Sequence, residues 1–105
     1  MRTLEFIVKK QKLMKKSGCD FTHIVAGSRD YLRAKFYFSS DWDNCKKAAS
    51  FWIDDKEYAV LLDDDDSCVI PFEVLTNRLI EISVTGAKDK GFIPTTKITV
   101  RQEVR

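Results

Sequence analysis

At 105 residues the chain is long enough for one modest hydrophobic core and too short for two domains, so we predict a single domain over residues 1–105. Its composition is 44% hydrophobic and 32% charged, with only four glycines and two prolines, which excludes a low-complexity or disordered chain. The formal net charge of +2 is too small to indicate a nucleic-acid-binding protein, although lysines crowd the first sixteen residues and aspartates the middle of the chain.

The cysteine and histidine content argues against a metal or cofactor site. Cys19, Cys45 and Cys68 are an odd number without CxxC spacing, and no hydrophobic signal segment precedes them, which favours a reducing compartment and small buried thiols. The single histidine, His23, cannot supply an HExxH or paired Cys/His motif, so no zinc site is expected. Because no apolar run approaches the roughly 20 residues of a membrane helix, no membrane partner is expected either.

The chain begins with the alternation of a half-buried strand. Leu4, Phe6 and Val8 share one face, and the basic segment KKQKLMKK follows at residues 9–16. That segment could attract phosphate or an acidic partner. Lysines without interleaved aromatics offer no stacking platform for bases, however, so a solvated strand and loop is the simpler interpretation. Residues 21–26 are predicted to form a short second strand.

The clearest alternation lies in residues 31–38, where one side of a strand faces a core and the other faces water or a partner. The predicted core face carries Leu32, Ala34, Phe36 and Phe38, and the opposite face carries Tyr31, Arg33, Lys35 and Tyr37.

Trp42 lies in the predicted turn SSDWDN at residues 39–44 and has two interpretations. It either packs over the edge of the sheet as part of the core, or stays exposed as a contact anchor for a partner. Residues 45–53 then continue the strand pattern, with Ala49 and Phe51 on the core face and Trp52 on the opposite face.

An acidic block between two apolar runs is predicted to be the tip of a central hairpin. Its arms would be YAVLL at 58–62 and SCVI at 67–70, with Asp63 to Asp66 as the turn. Pro71 would then open one helical turn. The four aspartates lack the ligand spacing and central glycine of an EF-hand loop, so calcium binding is a weaker interpretation than protection of a strand edge. The helical turn carries a predicted apolar plug of Phe72, Val74 and Leu75.

The last third of the chain predicts two more strands around the sequence GAKDKG at 86–91, which is a flexible loop by composition. The core face of the first strand carries Ile80, Ile82 and Val84, and one face of the last carries Ile98, Val100, Gln102 and Val104. About seven to eight short strands with turns between them and one helical turn predict an all-β fold, an antiparallel β-sandwich.

We predict no catalytic residues and no enzymatic activity. Ser/His/Asp catalysis would require His23 to be oriented by a carboxylate and to lie within hydrogen-bond reach of a nucleophile. A lone histidine beside β-branched residues is more often packed or solvent-facing than catalytic. The fold gives no further support for catalysis, since a fold by itself confers no function.

Five segments carry a resemblance to a known family: YLRAKFYFSSDWDN at 31–44, KKAASF at 46–51, YAVLLDDDDSCVIPFEVL at 58–75, IEISVTG at 80–86 and ITV at 98–100. Over Leu4 to Val104 the chain resembles the N-terminal domain of the baseplate upper protein, a tail component of phages and prophages of Gram-positive bacteria. The most specific matches are Trp42, Pro71 and Glu73.

This resemblance implies an immunoglobulin-like sandwich that belongs to the virion tail and is assembled in the cytoplasm of the bacterial host. Such a module joins the tail hub to receptor-binding proteins and has no enzymatic activity. Its partners would be other tail and baseplate proteins, or a second copy of the chain. In the family the domain usually precedes a long linker or receptor-binding region, whereas this sequence ends at Arg105, so a free-standing relative and a fragment both stay open.

Large or charged residues on the predicted outer faces and turns are the candidates for partner binding. They are Tyr31, Arg33, Tyr37, Trp42, Trp52, Asp63, Asp64, Asp65 and Asp66. Two other functions stay open. One is a stand-alone phage inhibitor of a host defence nuclease, anti-CRISPR-like, whose acidic turn occupies a cationic nucleic-acid channel. The other is a carbohydrate-binding module that stacks sugars on the exposed tyrosine and tryptophan rings.

Overall fold

The computed structural model describes residues 1–103, and this part of the chain folds into nine β-strands and two single-turn 3₁₀ helices. The strands are β1 (Arg2–Lys9), β2 (Lys12–Lys15), β3 (Leu32–Phe38), β4 (Lys46–Ile53), β5 (Lys56–Leu61), β6 (Ser67–Val69), β7 (Leu79–Lys88), β8 (Gly91–Pro94) and β9 (Ile98–Arg101). The 3₁₀ helices are Ser40–Trp42, where the sequence predicts a turn, and Phe72–Val74, which follows Pro71 as predicted.

The strands form two sheets around a common core, which confirms the predicted all-β sandwich. The four-stranded sheet has the order β2-β1-β3-β6, and the five-stranded sheet has the order β5-β4-β7-β8, with β9 also pairing with β7. The rings of Phe6 and Phe36 stack on the inner face of the four-stranded sheet with centroids 5.2 Å apart. Alternate apolar side chains of both sheets are buried in this core: Leu4, Phe6, Val8, Leu32, Ala34, Phe36, Ala49, Phe51, Ile80, Ile82 and Val84.

One strand pair departs from the predicted antiparallel arrangement. β1 and β3 run parallel, in register from Arg2 beside Leu32 to Val8 beside Phe38. Parallel neighbours need a crossover connection, and residues 16–31 complete it by carrying the chain from the end of β2 to the start of β3.

The guanidinium group of Arg2 holds that crossover in place. It donates hydrogen bonds to the carbonyl oxygens of Asp20, Thr22 and His23, at 2.9, 2.6 and 3.2 Å. The segment therefore follows an irregular path, and the strand predicted over residues 21–26 is wrong. Within residues 1–103 its strand-like pairing is limited to one bridge, between Val25 and Glu103.

The predicted central hairpin is also wrong, because its two arms belong to different sheets. β5 pairs with β4 in the five-stranded sheet, and β6 pairs with β3 in the four-stranded sheet. The turn itself is present: the backbone N–H of Asp66 donates to the carbonyl of Asp63 at 2.9 Å, and Asp66 has φ +61°. Asp63 to Asp66, which we call the acidic turn, therefore carries the chain from one sheet to the other.

Trp42 and Gly86 form a close packing contact between the two layers. Trp42 is fully buried, and its indole N–H donates to the carbonyl oxygen of Lys10 at 2.7 Å. A Cβ atom at Gly86 would lie 2.8 Å from Cζ3 and 2.9 Å from Cε3 of the indole. Gly86 belongs to β7 and pairs with Lys47, and Gly91 opens β8, so the loop predicted at residues 86–91 is wrong except for the turn at residues 89–90. Strand β7 needs glycine at this position to make room for the ring.

Three smaller predictions can also be compared with the structure. Val74 and Leu75 of the predicted plug are buried, but Phe72 is 43% exposed, with the guanidinium of Arg29 lying 4.3 Å from its ring centroid. Cys68 is buried, as predicted, whereas Cys19 and Cys45 are only half-buried. Val104, predicted on a face of the last strand, lies outside the described residues.

We predict that Gly86→Ala destabilises the protein by about 1–3 kcal/mol, because the added methyl group overlaps the Trp42 ring. Chemical denaturation measures the change in the free energy of unfolding. The matched control is Ala87→Ser at the neighbouring exposed position, which should change it by less than about 0.5 kcal/mol. In the Trp42→Phe background the smaller ring should reduce the cost of Gly86→Ala, and strictly additive effects would contradict the contact.

We predict that the Cys68 thiol resists alkylation in the folded protein. Burial raises its pKa from 9.0 to about 12, so little reactive thiolate is present at pH 8. Because the folded pKa is raised, the contribution of this thiol to stability is complete below pH 9.0 and is lost as the pH rises through about 12. Mass spectrometry after brief alkylation should find Cys19 and Cys45 labelled and Cys68 unlabelled until denaturant is added. Equal labelling of all three would contradict the prediction.

Candidate functional site

The parallel pairing of β1 with β3 builds a polar surface on the outside of the four-stranded sheet. Three pairs of outward-facing side chains lie next to each other: Thr3 and Arg33, Glu5 and Lys35, and Ile7 and Tyr37. The residues between them point into the core, because successive side chains of a strand alternate between its faces. These pairs and the acidic turn border a shallow depression, the outer-face surface. Its lining residues are Thr3, Glu5, Arg33, Lys35, Tyr37, Asp65 and Ser67.

The acidic turn is fixed to this surface by hydrogen bonds. The guanidinium of Arg33 donates to the Asp63 carboxylate and to the Ser67 hydroxyl, both at 2.8 Å. The Ser67 hydroxyl in turn donates to the Asp65 carboxylate at 2.6 Å, and the Lys35 ammonium donates to the Asp65 carbonyl oxygen. The bond from Ser67 lowers the pKa of Asp65, and the positive charge of Lys35 acts in the same direction. The turn is therefore an ordered part of the surface.

Tyr37 lies at the other end of the outer-face surface. Its phenol O–H donates to the Glu5 carboxylate at 2.5 Å, and this bond raises the pKa of Tyr37 because it favours the protonated phenol. The ammonium groups of Lys16 and Lys35 lie 5.7 and 5.5 Å from the ring centroid, within cation–π range. Tyr37 is nevertheless 42% exposed, so an aromatic side chain held by several contacts still has surface to offer a partner.

Four of the nine candidate residues meet on this surface: Arg33, Tyr37, Asp63 and Asp65. Tyr31 directly precedes β3 and is 50% exposed. By the alternation of the strand, its side chain belongs to the same outer face. The parallel sheet and the acidic turn thus gather residues that lie about thirty positions apart in the sequence.

The other candidates lie elsewhere. Trp42 is buried between the sheets, which confirms the core interpretation and contradicts the alternative of an exposed partner anchor. Trp52 lies on the outside of the five-stranded sheet, where its indole N–H donates to the Ser83 hydroxyl at 3.1 Å and the Lys97 ammonium lies 3.9 Å from its ring centroid. Two other candidates belong to the acidic turn but not to the outer-face surface. The Asp66 carboxylate pairs with the Lys47 ammonium at 3.2 Å, and Asp64 is exposed to solvent.

Glu5, Lys35 and Ser67 belong to the surface but are not among the predicted site residues. The sequence does contain a signal that identifies Lys35, because Lys35 lies between Arg33 and Tyr37 at every second position and therefore shares their face of the strand. Glu5 has none, since its position beside Lys35 depends on the parallel register of β1 and β3. Ser67 likewise reaches Arg33 only because β6 pairs with β3 and not with β5.

The chemistry of the outer-face surface suits recognition of a protein. Tyrosine and arginine are enriched among the side chains that dominate protein interfaces. Here Arg33 and Tyr37 are already held by Asp63 and Glu5, so a partner would order fewer side chains on binding. Cationic and anionic groups are interspersed across the surface, and this pattern selects a partner with complementary charges.

Metal-ligating residues are dispersed in the described structure. Residues 1–103 contain no group of three or more His, Cys, Asp or Glu side chains placed to hold a metal ion. His23 is largely exposed, and its Nδ1 lies 3.5 Å from the Glu103 carboxylate.

No family model, curated protein or solved structure matches this chain. The resemblance to the baseplate upper protein family therefore stays a prediction. Among residues 1–103 no helix has the length and apolar character needed to cross a membrane.

We predict that Glu5→Gln lowers the pKa of Tyr37, because it removes the carboxylate that accepts the hydrogen bond from the phenol O–H. The Tyr37 ring resonance followed by NMR as a function of pH measures the shift. Since the folded pKa is raised, the stability from this bond is complete below the ordinary tyrosine value of 10.0 and is lost as the pH rises through the folded value. Glu81→Gln, on the opposite sheet, is the control, and an equal shift in both variants would contradict the assignment.

Proposed function

We propose that this chain is a non-enzymatic docking module of a phage or prophage tail, and that it binds other virion proteins through the outer-face surface. The observation that carries the proposal is the ordered cluster of Arg33, Tyr37, Glu5 and Asp63 on the outside of a sheet whose inner side is packed into the core.

The arrangement of the cluster supports docking by a protein. Tyr31 and Tyr37 keep half or nearly half of their surface exposed, at 50% and 42%. The side chain of Arg33 is 27% exposed although its guanidinium is held by Asp63. A regular sheet supplies a firm base for such residues, because hydrogen bonds to neighbouring strands fix its backbone. The surface therefore combines aromatic area, charge and a stable scaffold.

The location in a phage tail rests on the resemblance of the five segments quoted above. The family domain is a β-sandwich, and the chain has the same general architecture, with two sheets packed on one core. In this setting the chain is a part of the virion, assembled in the host cytoplasm, and its partners are tail and baseplate proteins.

Two structural features favour docking over the alternative functions. For sugar stacking, Trp42 is buried and the Trp52 ring has the Lys97 ammonium 3.9 Å from its centroid, so fewer open rings are available than the sequence suggests. For mimicry of nucleic acid, the negative charge of the acidic turn is reduced by internal ion pairs. These pairs are Asp63 with Arg33 at 2.8 Å and Asp66 with Lys47 at 3.2 Å.

Immunogold electron microscopy tests the proposal. Antibodies against the purified chain should label the baseplate end of tailed particles released by the bacterium that encodes it. The double variant Arg33→Ala, Tyr37→Ala should enter particles at least about tenfold less efficiently, since each removed side chain is of a hot-spot type. Thr99→Ala, exposed on the opposite sheet, is the control and should enter normally.

Thermal melts of both variants, followed by circular dichroism, show whether the fold is kept. Particles that carry no label while the chain stays in the host cytoplasm would contradict the proposal. Equal incorporation of the double variant and the control would contradict the assignment of the outer-face surface.

A further inference from the structure

Strand β5 forms a free edge of the five-stranded sheet. The backbone N–H of Leu62 donates to the carbonyl of Lys47 in the register that pairs β5 with β4, at 3.0 Å. Because backbone groups of an antiparallel pair alternate between inward and outward directions, the groups of Glu57, Ala59 and Leu61 point away from β4. These outward N–H and C=O groups form a row that another strand can pair with.

The other sheet edges in residues 1–103 are shorter and partly closed. β2 has four residues, and its Leu13 N–H already donates to the Thr96 hydroxyl at 3.4 Å. β6 has three residues, and β8 has four and ends at Pro94, which has no N–H to donate. β9 has four residues, and just beyond it the Glu103 N–H donates to the carbonyl of Ile24 at 2.6 Å. β5 has six residues and contains no proline, so its edge is the most open in the described structure.

The side chains along this edge also leave apolar surface uncovered. Tyr58 and Val60 face the core but are only half-buried, because the sheet ends beside them. On the outer face Leu61 is 74% exposed. A further strand beside β5 would cover apolar surface on both faces of the sheet, in addition to pairing its backbone groups.

The charges at the ends of β5 indicate the chemistry of the occupant. Asp54 and Asp55 precede the strand, and Asp63 and Asp64 follow it; all four are exposed. Asp63 is neutralised by Arg33, and Lys46 borders the crevice near Asp64. At the other end the exposed Lys56 and Glu57 offset each other, so the Asp54–Asp55 end is the more negative. An incoming strand with lysine or arginine at the end that lies beside Asp54 and Asp55 complements this negative end.

The same charges disfavour a second copy of the chain. Antiparallel pairing of β5 with itself about a two-fold axis brings the aspartates before one strand close to those after the other, at both ends of the interface. The second copy therefore brings no net positive charge to Asp54 and Asp55, because its Asp63 is paired with Arg33 and its Lys46 lies near Asp64, whereas a basic segment does.

We propose that the free edge of β5 binds an extended segment of a partner protein by strand addition. The segment alternates apolar residues with polar ones and carries basic residues at the end that lies beside Asp54 and Asp55. This site belongs to the five-stranded sheet, whereas the proposed tail-docking role uses the outer face of the four-stranded sheet, so either can fail without the other.

The probe is a synthetic peptide in which valine and threonine alternate between two terminal pairs of lysine. NMR titration of the full-length chain should shift the amides of Glu57, Ala59 and Leu61 and slow their hydrogen exchange. A matched peptide with glutamate in place of each lysine should bind at least about tenfold more weakly at low ionic strength. Added salt should narrow this difference.

The variant Ala59→Pro removes an outward N–H and leaves the inward bonds of β5 to β4 in place, so the fold should be kept. We expect about tenfold weaker binding of the lysine peptide, and normal binding by the control Ala59→Thr. Lack of shifts at β5 with the lysine peptide would overturn the proposal, as would unchanged binding by a folded Ala59→Pro. A concentration-dependent dimer that Ala59→Pro dissociates would assign the edge to a second copy and overturn it too.

Discussion

The contact between the Trp42 indole and Gly86 joins the two halves of this protein. Trp42 follows β3 of the four-stranded sheet, and Gly86 lies within β7 of the five-stranded sheet. The ring is fully buried, lies 5.1 Å from the Phe38 ring between centroids, and bonds through its N–H to the carbonyl of Lys10 in the connection between β1 and β2. One large side chain therefore touches both layers, and the missing Cβ of Gly86 allows the close approach. Because burial of an aromatic side chain is a large stabilising contribution, this contact helps to fix the relative position of the sheets.

Once the inner faces are closed, outer faces and edges are where the sandwich offers surface to a partner. Arg33 and Tyr37 stand on the outer face of one sheet, and Glu57, Ala59 and Leu61 present the open edge of the other. The acidic turn connects the two regions, since it leaves β5 and enters β6. Its Asp63 carboxylate is bonded to Arg33, and its Asp66 carboxylate to Lys47 of β4. The segment that is most acidic in the sequence is thus a structural connection whose charges are largely used within the protein.

Alternation of apolar and polar residues was sufficient to predict the all-β sandwich and most of its core. It places Leu32, Ala34 and Phe36 inside and Arg33 and Tyr37 outside.

Alternation does not encode which strands pair, and this is why the predicted hairpin around the acidic turn is wrong. A turn of four aspartates is equally compatible with neighbouring strands and with a crossing between sheets. Likewise, composition predicts a loop at Gly86 because glycine disfavours strands, and the buried ring that requires glycine there comes from a residue forty-four positions away. The candidate site was predictable where it follows one strand, as for Arg33 and Tyr37, and unpredictable where it depends on parallel pairing, as for Glu5.

The most direct test of this account is native-state hydrogen exchange, measured for the amides of β3 in one sheet and β7 in the other. If the Trp42–Gly86 contact couples the sheets, the slowest amides of both strands will exchange with the same free energy of opening. That value will also equal the free energy of global unfolding. Opening of β3 and β7 at clearly different free energies would show that the sheets separate before the protein unfolds, and would contradict the account.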